Sequence, residues 1–215
     1  ARLAMLLGKA HGYNANDIAM LGVCGLLHDA GMTMISRKIL SQTEPLGADE
    51  RAMIQKHAEG GARLLEQCGL RDEAVLVVVR QHHERADGSG YPLGLKGERI
   101  HPFASLVQIA DSYEAMVSPR VYKLPMKPPE AVRELEALAA RGVFDAGAVA
   151  TFVRAMGHYP PGTRVRLSTG ETGVVVRAHE DAPDRPVVRL LQPGGDGKVR
   201  TELDLRDSPT VAIVG

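Results

Sequence analysis

The hydrophobic periodicity of the chain changes once, at residues 158–162, where the sequence reads His-Tyr-Pro-Pro-Gly. Before this point apolar residues recur at three- and four-residue spacing, which is the period of a helix that buries one face. After it come short Val- and Leu-rich runs, typical of strands, at residues 163–167, 173–177, 186–191, 198–203 and 211–214. The pattern predicts a mainly α fold: a helical domain at residues 1–157, followed by a small all-β, barrel-like subdomain at residues 158–215.

The helical part divides into segments with recognisable ends. A capping pair at Asn16 and Asp17 opens a helix that is apolar nearly all round, so we expect this helix to lie in the core. Further helices are predicted at residues 49–68, 72–84 and 103–117, then one opened by Pro128 and one capped by Asp145. The Gly/Pro-rich string DGSGYPLGLKGERIHP, at residues 87–102, has no helical period and predicts a loop.

The composition excludes several classes of partner. The 26 Lys and Arg residues balance the 26 Asp and Glu residues, so no overall charge attracts DNA or an anionic membrane surface. No apolar run approaches the length of about 20 residues that spans a bilayer.

Cys24 and Cys68 lie in apolar helical surroundings, which favours a reducing, cytoplasmic compartment over a disulfide scaffold. Because the first ten residues already read as the middle of a helix, we expect the chain to be part of a longer protein, truncated at its N-terminus.

Six ionisable residues stand on otherwise apolar helix faces. A buried carboxylate without a partner costs several kcal/mol, and imidazoles and carboxylates that face one core commonly share metal ions. A ligand set of this kind, without cysteine, suits iron, manganese or zinc. A single histidine on an apolar face is more often a hydrogen-bonded core residue, and that structural explanation is the alternative for each residue taken alone. The six residues are His28, Asp29, His57, His82, His83 and Asp111.

Four strings carry a resemblance to a known family: LLHD at residues 26–29, H-x-x-x-G at 57–61, HHERADGSGYP at 82–92 and IADSYEAM at 109–116. They resemble the HD-GYP family, which comprises cyclic di-GMP phosphodiesterases of the HD hydrolase superfamily. The resemblance covers about residues 1–156 and implies an HD-type helical bundle. It also implies metal-dependent hydrolysis of cyclic di-GMP to pGpG or GMP in bacterial second-messenger signalling. The β subdomain is similar to an extension of some family members.

The resemblance assigns roles position by position. It makes His28 and Asp29 the catalytic HD pair, with Asp29 as the carboxylate that bridges two divalent metal ions. A third ion is the alternative, and iron or manganese is expected ahead of zinc, nickel or magnesium. The remaining metal ligands are His57, His82, His83 and Asp111, and the substrate-binding residues are Tyr91, Arg120, Lys123, Gly90 and Asp87. For Tyr91 and Pro92 the alternative is a rigid loop that packs on the bundle.

Three departures from the family pattern bear on activity. The string HDAGM places Met32 where the family has a lysine near the substrate phosphate, and a thioether carries no charge. The string SQTEPL, at residues 41–46, replaces the family's KPG stretch. The family also has a metal-binding histidine, sometimes with a glutamate, on a helix before the position of Ala1.

These departures keep other functions open. The main alternative is a weakly active or inactive domain that acts as a cyclic-dinucleotide receptor or as a protein-interaction scaffold. Another cyclic dinucleotide, or a nucleotide monophosphate, is the alternative substrate, and the β subdomain is a further candidate binding element. The resemblance implies cyclic di-GMP as the ligand and an upstream sensor or receiver region. It also implies a GGDEF-type partner protein or a second copy of the chain.

Overall fold

A computed structural model describes residues 1–119, 124–191 and 201–215. The α-helices are α1 Arg2–His11, α2 Ala15–Leu27, α3 Arg37–Leu40, α4 Ala48–Gln67, α5 Glu73–Gln81, α6 Pro102–Val117, α7 Pro128–Ala140 and α8 Ala146–Met156. Two short 3₁₀ helices, Ala30–Met34 and Gly97–Arg99, lie between them. The strands are β1 Arg164–Arg166, β2 Thr172–Arg177, β3 Val187–Leu191 and β4 Glu202–Asp204. The predicted fold class, helices followed by a small β unit, is confirmed. The domain boundary at residue 157 stays a prediction.

The helices enclose one apolar core. Leu21 of α2, Val78 of α5, Leu106 of α6 and Phe152 of α8 are each at most 1% exposed and belong to the same cluster. α1 packs against α2, α6 and α8, and α4 packs against α5 and the 3₁₀ helix that follows α2. Within the described residues no helix is long and apolar enough to cross a lipid bilayer.

Helix α2 differs from its prediction in two respects. Its N-terminal cap is Asn14, whose side-chain oxygen accepts hydrogen bonds from the backbone amides of Asn16 and Asp17. The two residues predicted to cap the helix are therefore the ones that are capped. The helix was expected to lie in the core, and Leu21 and Cys24 do so, but one apolar face is exposed. Val23 and Leu26 are 39% and 73% exposed, because no described element covers that face of the helix.

The four strands form an antiparallel sheet in the order β1-β2-β3-β4, with its own small core. Val165, Leu167, Val175, Val188 and Leu205 make up that core. The strand predicted at residues 211–214 is wrong, since only an isolated bridge between Leu167 and Ile213 forms there. Most of the run predicted at 198–203 lies outside the described residues.

A histidine joins the helices to the β unit. The His158 ring contacts Glu136 of α7 through Nε2 at 3.0 Å and Asp184, before β3, through Nδ1 at 2.8 Å. Burial lowers the pKa of His158, but the hydrogen bond with Glu136 and the charges of both carboxylates outweigh burial, so the pKa is raised. An imidazolium that donates to both carboxylates therefore fastens the sheet to α7.

The raised pKa of His158 predicts a pH-dependent stability. Its contribution is fully present below the unfolded pKa, about 6.5, and is lost as the pH rises through the higher folded value. Because both carboxylates are largely exposed, we expect His158→Gln to lower stability by only about 1 kcal/mol at pH 6. That corresponds to roughly 2–4 °C in Tm. Thermal melts of both proteins at pH 6 and pH 9 should show the difference shrinking, and an equal difference at both pH values would contradict the prediction.

Candidate metal centre

The six predicted ligands reach one region from four helices. His28 caps the C-terminal end of α2, and Asp29 opens the 3₁₀ helix that follows. His57 lies in α4 and Asp111 in α6. His82 caps the C-terminal end of α5, and His83 follows it directly.

A close approach of two glycines brings the His28-Asp29 turn against α4. A Cβ on Gly31 would collide with the carbonyl oxygen of His57, and a Cβ on Gly61 would lie 2.8 Å from the amide nitrogen of Gly31. Only glycine fits at both positions, because the neighbouring atoms are backbone and cannot rotate away. The turn that carries Asp29 is thereby held next to His57.

The donor atoms of these side chains converge. Asp29 Oδ1 lies 3.3 Å from His57 Nε2 and 3.7 Å from His82 Nε2. Asp29 Oδ2 lies 3.6 Å from His28 Nε2, which in turn lies 3.7 Å from Asp111 Oδ1. The two oxygens of Asp29 therefore face different histidines, as a carboxylate between two neighbouring cations would.

A second grouping includes the remaining histidine. One ligand atom each of Asp29, His57, His82 and His83 lies within 4.8 Å of the other three. This is the metal-compatible group found among the described residues. His28 adjoins it through the second oxygen of Asp29, and Asp111 adjoins His28. The structure thus brings together all six residues that the sequence singled out.

The backbone fixes the tautomer of three of the rings. The Nδ1 atoms of His28, His57 and His82 lie 3.2, 2.7 and 2.8 Å from the carbonyl oxygen three residues earlier. Because a carbonyl oxygen only accepts, each Nδ1 carries a hydrogen and donates it. In a neutral ring the lone pair is then on Nε2, the atom that faces the cluster, and hydrogen bonds of this kind orient metal-binding histidines.

The arrangement lacks a positive charge at its centre. The Nε2 atoms of His57 and His82 are 3.2 Å apart, and Nε2 of His28 is buried without a hydrogen-bond partner among the described residues. Two lone pairs at that distance repel each other, and a buried ring nitrogen without a partner is costly. A proton on one ring relieves only one of these contacts. A divalent metal accepts electron pairs from several rings and carboxylates together, so the donor set fits a metal.

The pKa shifts of three proposed ligands favour the forms that bind metal, whereas the carboxylates of Asp111 and Asp29 outweigh burial and raise the pKa of His28. Burial lowers the pKa of His57, and burial together with the charge of His82 lowers that of His83 to about 3, so both rings are neutral at pH 7. Burial raises the pKa of Asp29, but the neighbouring imidazoles of His82, His28 and His57 outweigh burial and bring it down to about 2. Neutral imidazoles and an ionised carboxylate bind a cation without first losing protons.

Tyr91 lies beside this cluster. Its ring centroid is 4.7 Å from that of His83, with 31° between the ring planes. Burial raises the pKa of Tyr91, and the charges of Asp29 and Asp111 raise it further, so the hydroxyl keeps its proton and remains a donor. The two predicted basic contacts, Arg120 and Lys123, lie outside the described residues.

Two further predicted substrate residues serve the structure of the loop itself. A Cβ on Gly90 would collide with the backbone of residues 83–85, so Gly90 permits the loop to pack on that turn. The carboxylate of Asp87 is exposed and accepts a hydrogen bond from the amide of Ser89 at 2.9 Å, which is a local turn. Their contacts with substrate stay a prediction.

One residue of this region was missed by sequence reasoning. Glu84 is completely buried, although it is a charged residue at the end of the helix predicted at residues 72–84. Its side chain accepts hydrogen bonds from the amides of Leu93 and Leu95. Hydrophobic periodicity does not reveal a buried acid. The sequence signal that could have identified Glu84 was its place inside the string HHERADGSGYP.

Comparisons with known proteins identify similar families and relatives. A family model described as HD domain matches residues 1–147, and one described as KOW domain associated with HD domain matches residues 164–215. A cyclic di-GMP phosphodiesterase of Pseudomonas aeruginosa is 39% identical over 170 residues, which is 79% of this chain and 41% of that protein. A 3′3′-cGAMP-specific phosphodiesterase of Vibrio cholerae is 36% identical over 142 residues, which is 66% of this chain and 26% of that protein.

The solved structures support the fold. An HDG"Y"P protein from Bdellovibrio bacteriovorus superposes with a TM-score of 0.57 at 22% identity, over 70% of this chain and 47% of that one. The chain spans about two fifths of the Pseudomonas relative and about a quarter of the Vibrio relative. Since the HD domain model matches well over half of the sequence, the chain belongs to the HD domain family.

Proposed function

We propose that this chain is a metal-dependent phosphodiesterase that hydrolyses cyclic di-GMP to pGpG or GMP. The convergence of imidazole Nε2 atoms on Asp29, with His57 and His82 in the tautomer that metal ligands require, carries the proposal. The relatives named as cyclic di-GMP phosphodiesterases support the choice of substrate.

The side chains divide into two neighbouring sets. Asp29 Oδ1 with His57, His82 and His83 would hold one metal, and Asp29 Oδ2 with His28 and Asp111 would hold a second. We propose iron or manganese at both positions. When bound, such metals polarise the phosphate oxygens and lower the pKa of water, which supplies a nucleophile without a serine or cysteine.

The other residues of the site would orient the substrate. In the reaction the oxygen of water bonds to phosphorus, the bond from phosphorus to the 3′ oxygen breaks, and that oxygen gains a proton. Tyr91, which stays protonated, would donate its hydroxyl hydrogen to the bound dinucleotide. Arg120 would bind a phosphate of the substrate through two parallel hydrogen bonds, and Lys123 would place a positive charge near it.

A turnover assay tests this proposal. We expect the chain loaded with manganese or iron(II) to convert cyclic di-GMP to linear product, with the product identified by chromatography, and expect a chelator to stop the reaction. Assays with 3′3′-cGAMP in parallel decide between the two substrates that the relatives are named for. A fully metal-loaded chain that converts neither dinucleotide would contradict the proposal.

A second candidate function is a receptor that binds the dinucleotide without cleaving it. Met32, which offers no charge to a phosphate, favours it. This residue lines a cavity of about 850 Å³ together with apolar residues such as Leu40 and Ile54. Calorimetry that finds tight binding of cyclic di-GMP, together with no product, would select the receptor. A GGDEF-type partner or a second copy of the chain would then receive the signal.

A further inference from the structure

Glu84 is a buried acid outside the set of metal ligands. Its side chain is 0% exposed, and none of the ion pairs formed by residues 1–119, 124–191 and 201–215 includes it. Burying an ionised carboxylate without partners costs several kcal/mol, so its hydrogen bonds must offset that cost. The position of those partners shows what the residue holds in place.

Both carboxylate oxygens are used by one loop. Oε1 accepts from the amide of Leu93 at 2.7 Å, and Oε2 accepts from the amide of Leu95 at 2.8 Å. Bonds from backbone amides to an ionised carboxylate are stronger than those between neutral groups. The side chain of Gln108, from α6, donates to the backbone carbonyl of Glu84 and ties the same turn to the core.

The loop is fastened to the histidine turn at a second point. The amide of Tyr91 donates to the carbonyl oxygen of His83 at 3.2 Å. The ring of Tyr91, the residue at this second attachment, lies against His83. His83 in turn lies 5.0 Å, between ring centroids, from His57. The carboxylate of Glu84 therefore holds residues two and four positions after Tyr91, in the same loop that packs on His83.

We propose that Glu84 is a positioning residue, whose buried carboxylate holds residues 91–95 so that Tyr91 is presented to a dinucleotide bound at the His/Asp cluster. This role rests on the proposed function. Glu84 touches neither substrate nor metal; it acts through the loop. The loop serves a large substrate that reaches beyond the metals, whereas a small phosphodiester at the metals does not need it.

The substitution Glu84→Gln tests the proposal. A carboxamide keeps one acceptor oxygen but turns an NH₂ group toward the second amide, so one hydrogen bond is replaced by a clash of donors. We expect kcat/KM for cyclic di-GMP to fall about 10–100-fold. This is the range typical when a residue that holds other functional groups in place through hydrogen bonds is replaced. Hydrolysis of bis(4-nitrophenyl) phosphate should change less than about 3-fold, and metal content should stay equal, because the metal ligands themselves are retained. Hydrogen exchange of the loop amides should become faster.

Two further variants keep the test decisive. The control variant is Glu98→Gln, which makes the same change at an exposed position in the nearby 3₁₀ helix. This control should match the wild type in every measurement. If Glu84→Gln does not fold, Leu93→Pro removes one donor while leaving the carboxylate, and its own side chain is 61% exposed. It should show the same selective loss.

The outcomes separate this proposal from the proposed function. Equal losses for the large and the small ester, or no loss for either, would overturn the positioning role. If the wild type cleaves neither ester, the proposed function fails, and the Kd of cyclic di-GMP decides instead. A weaker Kd in Glu84→Gln than in Glu98→Gln supports positioning, and equal Kd values overturn it.

Discussion

Replacing Asp29 by asparagine should abolish hydrolysis of cyclic di-GMP and release bound metal. Asp29 is the residue whose two oxygens face both sets of ligands, toward His57 on one side and His28 on the other. The amide keeps the shape of the side chain but removes its charge and one acceptor, so it would no longer offer an anionic oxygen to each of the two proposed metals. Loss of several kcal/mol of metal-derived stabilisation corresponds to a decrease in kcat of at least about 1,000-fold. Chromatographic turnover assays and elemental analysis of the same preparations measure both effects.

A matched control is Asp49→Asn, the same change at an exposed position in the first turn of α4. The control should retain its metal and its activity, with a loss of stability of only a few tenths of a kcal/mol, about the contribution of an acid near a helix N-terminus. Asp29→Asn with wild-type metal content and turnover would refute the assigned role of Asp29.

Replacing Gly61 by alanine should damage both stability and activity. The new Cβ would lie 2.8 Å from the amide nitrogen and 3.2 Å from the Cα of Gly31, which are backbone atoms. Relief requires moving the turn that carries Asp29 away from α4. We expect a net loss of about 2 kcal/mol, since overpacking of up to about 3 kcal/mol exceeds the gain of about 1 kcal/mol from alanine in a helix. This corresponds to roughly 4–8 °C in Tm. A shift of about 1 Å at the ligands should lower turnover about 100-fold.

The neighbouring glycine of α4 provides the comparison. A Cβ on Gly60 would meet only the side chain of Met34, whose sulfur is 3.3 Å away and can rotate. Gly60→Ala should therefore keep full activity and melt at the wild-type temperature or above it, because alanine favours the helix. Calorimetric melts and turnover assays of the two variants side by side test the contact. Similar behaviour of the two variants would show that the approach of Gly31 to Gly61 does not hold the turn.

The convergence of the six side chains could be predicted because the helical period separates inward from outward positions. His57 stands on an apolar stripe of α4, and Asp111 stands on one of α6, so both were expected to face the core. The string of residues 82–92 then identified the family. The distances among the six side chains could not be predicted, because they depend on how four helices pack. The approach of Gly31 to α4 sets that packing, and a pattern of apolar residues does not contain it.

Other features were missed for different physical reasons. The composition of α2 is apolar on all sides, yet Leu26 is exposed, because burial depends on what lies next to a helix as well as on its own residues. Glu84 was missed because its partners are backbone amides nine and eleven residues later, and amides are present at almost every position. The run at residues 211–214 has the composition of a strand and shares backbone hydrogen bonds with Arg166 and Ser168, but it forms only one bridge, between Leu167 and Ile213.

We infer that the imidazoles at the ends of α2 and α5 and within α4 meet the carboxylate of Asp29 around bound metal. Anomalous X-ray scattering from crystals of the chain grown with manganese or iron tests this most directly. We expect anomalous peaks within ligand distance of Asp29, one near His57 and His82 and one near His28 and Asp111. Crystals that bind metal elsewhere, or that leave these side chains without a peak at saturating metal, would contradict it.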